Sequence, residues 1–189
     1  MRHQLFSTAK MTRRIFAQGD LDGACYLYSI ANSYVALTSK QLTGAQWKKS
    51  LRASPFKLDD FLSGSGTEAL DGTPDYFEGL CRNFLERIRS TQFHLTRNEN
   101  VTAKSLRASL TDNQVAIIAI NDGEHWVSIV DADQNQFYIA CSAAVLSSAS
   151  PYLEQRSPNF QRAFNRTSSF ADLQIWNRYA LLVKNVTNA

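Results

Sequence analysis

Three cysteines, an odd number without CxxC spacing, cannot form a fully paired disulfide framework or a cysteine-rich zinc module. At least one is therefore a thiol, as a reducing compartment allows. No His/Cys/carboxylate cluster has ligand spacing, and there is no glycine-rich phosphate loop or dinucleotide fingerprint, so neither a metal nor a cofactor is expected. Charge of one sign is also missing: 20 Lys and Arg stand against 17 Asp and Glu, a net +3, and the basic residues are scattered. Nucleic-acid binders of this size carry a basic stripe, so no nucleic-acid partner is expected. The longest aliphatic run, Val115 to Ile120, is far short of the ~20 residues that span a bilayer, so no membrane partner is expected either. The start, Met1 to Thr8, has a basic residue but lacks the ~7–15-residue apolar stretch of a signal peptide. The expectation is a cytoplasmic protein, or one secreted without a cleavable signal peptide. No internal repeat or low-complexity linker is present.

What the sequence does have is enough apolar material for a core: 44% hydrophobic and 11% aromatic residues in a chain of 189. That suits a single domain, 1–189. The first part, about 1–112, reads as helical. After the turn-like Gln18–Gly23, the segment Ala24 to about Leu37 is apolar at helical spacing, with Asp22 or Gly23 able to cap it. A second helix is expected at Gly44–Ala53, ending before Pro55. The two glycines of Phe61–Thr67 mark a loop. From Asp75 to about Ser90, Phe77, Leu80, Cys81, Phe84, Leu85 and Ile88 form one helical face. Thr102–Leu110 is a shorter helix.

The period changes in the second part, about 113–189. Val115–Ile120 and His125–Val130 read as strands, and Gln136–Cys141 alternates as a third after the polar hairpin loop Asp131–Asn135. A loop or short-helix region containing Pro151 and Pro158 follows, and Tyr179–Lys184 is the last strand. Helices first and mostly antiparallel strands afterwards make an α+β fold.

Chemistry concentrates at two places. Cys25 falls in the first turn of its helix, where unpaired N–H groups and the helix dipole favour the nucleophilic thiolate. Gly23 lets a substrate backbone approach, the Cys25 N–H can face an oxyanion, and Gln18 can add a side-chain N–H. Position alone leaves open an ordinary buried thiol. His125 opens an apolar strand after a turn, a rigid place for a general base. His3 and His94 lie in a terminal stretch and a polar connection, with no partner in view. Trp47, Trp126 and Trp176 are candidates for a groove or for core.

Gln18, then Gly23-Ala24-Cys25 opening a helix, then His125-Trp126-Val127 opening a strand, resembles the papain-like cysteine peptidase superfamily. Asp22-Gly23-Ala24-Cys25-Tyr26 also resembles the signature of ovarian-tumour-type deubiquitinases, in which Asp22 would help shape the oxyanion loop. The resemblance implies a papain-like fold, with a helical lobe packed on a C-terminal sheet. It implies an oxyanion residue at Gln18, a nucleophile at Cys25 and a base at His125; substrate contacts are expected at Gly23, from the close approach it allows, and at Trp126, as a groove aromatic. In the superfamily an Asp or Asn on the next strand orients the histidine. Hairpin geometry places Cys141 or Ser142 there. Asp131 and Asp133 lie six to eight residues along the hairpin, about 20 Å away at ~3.3 Å per residue, and read as solvated turn carboxylates. The orienting role is open to Ser142, to a later residue such as Asn165, or to none.

The function expected is thiol hydrolysis of a peptide, isopeptide or related amide, with a protein or peptide as substrate. Acyl transfer or glutamine deamidation by a bacterial effector or toxin uses the same pair. The missing Asp or Asn also fits a papain-like binding module without activity.

Overall fold

The computed structural model describes residues 14–18, 24–52, 74–88, 92–143 and 154–187. His3, the capping positions Asp22 and Gly23, the glycine loop expected at 61–67 and Pro151 lie outside them.

Three helices come first: α1 (Cys25–Thr38), α2 (Gly44–Leu51) and α3 (Pro74–Glu86). β1 (Phe93–Asn98), α4 (Ala103–Ser109), β2 (Gln114–Ile120), β3 (His125–Ala132) and β4 (Gln136–Ala140) follow. The chain then forms β5 (Gln155–Arg156), β6 (Ala163–Phe164), β7 (Arg166–Ser169) and β8 (Ala180–Asn185). Six strands make one antiparallel sheet in the order β1-β8-β2-β3-β4-β7, and β5 pairs with β6.

The helix starts follow local chemistry. Thr43 caps α2 and Thr102 caps α4, each in a reciprocal capping box, with Gln46 and Ser105 as respective partners. α1 differs: its N-cap is Ala24, whose side chain makes no capping hydrogen bond.

β2 reads as an unbroken apolar run because both of its faces are covered. Val115, Ile117 and Ala119 join Leu181, Val183 and Trp126 in a core with α1 and α3. Ala116, Ile118 and Ile120 join Val127, Ile129 and Ile139 in a second core under Leu106 of α4. α1 is buried over most of its length and packs against β3.

Two strands run through segments read as connections. His94 lies in β1, where Leu95 is the one buried side chain, so the strand carries little apolar signal. β7, Arg-Thr-Ser-Ser, has none. Among the described residues no helix is long and apolar enough to cross a membrane.

Candidate active site

α1 and β3 begin at the same end of the sheet. Tyr26 and Trp126, the residues after Cys25 and His125, meet edge to face with ring centroids 4.7 Å apart. Trp126 also packs on Phe77 at 4.6 Å and faces Tyr179 at 6.4 Å. It is only 2% exposed. The expected substrate contact at Trp126 is therefore corrected: alternation along β3 sends its ring into the first core, where it fixes the helix start against the strand start. Trp47 likewise stacks among Phe16, Tyr28 and Phe84. Trp176 is exposed and lies over Gly123.

That glycine belongs to the turn that launches His125. Asn121, Asp122 and Gly123 all have positive φ, and a Cβ on Gly123 would meet the Trp176 ring at 2.9 Å. Only glycine combines φ +95° with that close approach. His125 follows as the half-buried first residue of β3. Burial, and then the positive charge of Arg166, hold its pKa below the ordinary imidazole value. Both favour the neutral ring, the form that can accept a proton.

The group against the ring is Cys141. His125 Nε2 lies 3.2 Å from Cys141 Sγ. Ser142, the expected orienter, turns elsewhere: its Oγ donates to Gln18 Oε1 at 3.2 Å. The cause is register. Ser128 pairs with Ala140, and a bulge at Val130 shifts the pairing nearer the loop. Continuing the pairing puts Cys141 opposite Val127, on the face Val127 shares with His125, and Ser142 on the other face. Asn165 clamps Cys141 from both sides: its Oδ1 accepts the Cys141 N–H at 2.9 Å, and its Nδ2 donates to the Cys141 carbonyl at 2.8 Å.

Gln18 reaches this corner through a pinned segment. Glu154 Oε2 accepts the N–H groups of Arg14 and Ile15, and Asn32 Oδ1 of α1 accepts that of Phe16 at 2.7 Å. The Gln18 N–H donates to the Ser142 carbonyl at 3.3 Å. Gln18 and Ser142 are thus joined through both backbone and side chain. Asn32 and Glu154 carry no sequence signal for this task, since their partners are backbone groups distant along the chain.

Cys25 is buried as the first residue of α1. Cys81 is fully buried in α3, and burial pushes its thiol pKa far up. None of the three cysteines is in a disulfide. Among the described residues no three His, Cys, Asp or Glu side chains gather as metal ligands.

The two hairpin carboxylates part ways. Asp133 is the turn carboxylate expected, accepting from the N–H groups of Asn135 and Gln136 and from the Tyr138 hydroxyl, which hold its pKa low. Asp131 is not solvated but fully buried. Its oxygens accept the N–H groups of Ala132, Asn159 and Phe160 and the Asn159 side-chain amide, because the bulge turns it toward the 158–160 turn.

No family model matches the chain, and neither does any curated protein. Among solved structures, the chain is similar to a double glycine motif protease from an AMS/PCAT transporter in complex with the leader peptide. The TM-score is 0.52 at 12% identity, covering 90% of this chain and 91% of that one. At this identity the likeness is one of fold, and it does not extend to the ovarian-tumour signature. Helices at the N-terminal side and an antiparallel sheet at the C-terminal side thus make the fold of a papain-like cysteine peptidase.

Proposed function

We propose that the protein is a papain-like cysteine hydrolase that cleaves a peptide or related amide through a thioester on Cys25. The observation that carries this reading is one corner of the fold. The first residue of α1 is a cysteine, the first residue of β3 is a histidine, and their neighbours Tyr26 and Trp126 hold these starts together. The α1 N-terminus favours the Cys25 thiolate. Cys25 attacks the carbonyl, and His125 takes the thiol proton and returns it to the leaving amine. The Cys25 N–H and the Gln18 Nε2 donors hold the oxyanion. A peptide substrate is in keeping with the leader peptide bound to the similar protease.

Peptides ending in a carbonyl electrophile test this by intact-mass analysis and peptide mapping. A single adduct on Cys25 is expected, with Cys81 unmodified because burial disfavours its thiolate. An adduct on Cys81 or Cys141 in place of Cys25 overturns the assignment.

The Gln18 role predicts a separate effect. Gln18→Ala should lower kcat by about 10²–10³-fold, the usual loss for one oxyanion donor, while Cys25 still alkylates. Steady-state kinetics on a peptide found with the electrophile set checks this, and an unchanged kcat removes Gln18 from the site.

A further inference from the structure

We propose that the Cys141 thiol takes the place of the orienting carboxylate or amide, accepting the Nε2–H of His125 so that Nδ1 is the nitrogen that exchanges protons with Cys25. Cys141 is a positioning residue, and its role rests on the reading of His125 as the base.

Three observations converge on it. Sγ lies 3.2 Å from Nε2, and Cys141 is 2% exposed. The β3–β4 register makes Cys141 the diagonal neighbour of His125 on one sheet face, a separation that a ring and a thiol span. Its backbone is held just past the end of β4 by both ends of the Asn165 amide, and Asn165 is itself tied to the sheet through its N–H to the Ile139 carbonyl at 3.1 Å. A group fixed on both sides of its peptide and aimed at one imidazole nitrogen selects a tautomer.

The choice of nitrogen has a chemical consequence. A neutral imidazole carries one N–H. If Nε2 carries it, Nδ1 has the lone pair that a base needs. A thiol accepts a hydrogen bond weakly and brings no full charge, so it orients the ring but does little to stabilise the imidazolium. The charged group that acts on His125 among the described residues is Arg166, of β7, and it also disfavours the imidazolium. Cys141 and Arg166 together thus make His125 a base that is positioned without being charge-assisted.

The test uses the full chain with Cys25→Ala, labelled with 15N-histidine. The tautomer is then read by NMR without turnover, and failure here is distinct from failure of electrophile labelling at Cys25. The parent should show His125 protonated at Nε2, Cys141→Ser should keep that tautomer, and Cys141→Ala should mix the two. Cys141→Asp should raise the His125 pKa by about 1–3 units, the effect of an opposite charge at this range. An Nδ1–H tautomer in the parent overturns the proposal. So does a His125 tautomer that Cys141→Ala leaves unchanged, a comparison that stands even if Cys141→Asp does not fold.

Discussion

Cys25→Ala and His125→Ala should each abolish turnover, with a loss on the order of 10⁶-fold in kcat, because a nucleophile and its base act as a unit. Losing either member removes the covalent route, and what is left is binding and oxyanion contacts. The two variants separate by a second measurement. Cys25→Ala should take no electrophile, whereas His125→Ala keeps the thiol at the α1 N-terminus and should still alkylate at raised pH, where thiolate forms without an imidazole. Thermal unfolding provides the control. Cys25 sits in the first core, so Cys25→Ser, which keeps the volume, should match Cys25→Ala in inactivity. Turnover retained by His125→Ala would mean that another group serves as base.

How much of this is legible in the sequence depends on how local each signal is. α1, α3, β2 and β3 bury long apolar stretches, so their period is visible in the residues themselves. Cys25 and His125 stand out for the same reason: each is the first residue of a strongly patterned element. β1 and β7 are different. Their pairing is backbone to backbone at opposite ends of the sheet, and their side chains, such as His94 and Arg97 in β1, carry mostly polar character. The third partner of the site is hidden by register. Whether Cys141 or Ser142 faces His125 depends on an odd or even offset across the hairpin, and the Val130 bulge changes that offset by one. The hairpin does bring the 141–142 pair to the histidine, as simple counting suggests, but counting cannot choose between faces. Asn165 depends on a further step, because the peptide it clamps lies across β4 and the β6–β7 corner.

The largest stability effect should come from Asp131→Ala, which should destabilise the fold by at least about 3 kcal/mol. The carboxylate looks like hairpin decoration in the sequence, yet it is fully buried and gathers donors from Ala132, Asn159 and Phe160. Truncation leaves the buried Ala132 N–H and the partly buried N–H groups of Asn159 and Phe160 without an acceptor, at about 1–3 kcal/mol for a buried group. Beside it runs a second buried polar cluster. Arg162, 4% exposed, donates to the carbonyls of Val130, Gln114, Thr111 and Asp112. Burial lowers its pKa to about 10, against the opposing pull of Asp131 and Asp112. The Val130 carbonyl is the one the bulge withdraws from the regular ladder, so Arg162 satisfies what the bulge exposes while Asp131 ties down the turn beneath it. Removing the carboxylate also takes from the buried guanidinium one of its two favourable carboxylate neighbours, which adds to the cost. For a chain of this size, 3 kcal/mol corresponds to about 6–12 °C in Tm, measurable by calorimetry or circular dichroism. Below that transition Asp131→Ala should keep its kcat, because Asp131 bonds to the 158–160 turn while Cys141 occupies Nε2 of His125. A variant with native Tm and no turnover would reverse this assignment and make Asp131 part of the catalytic machinery.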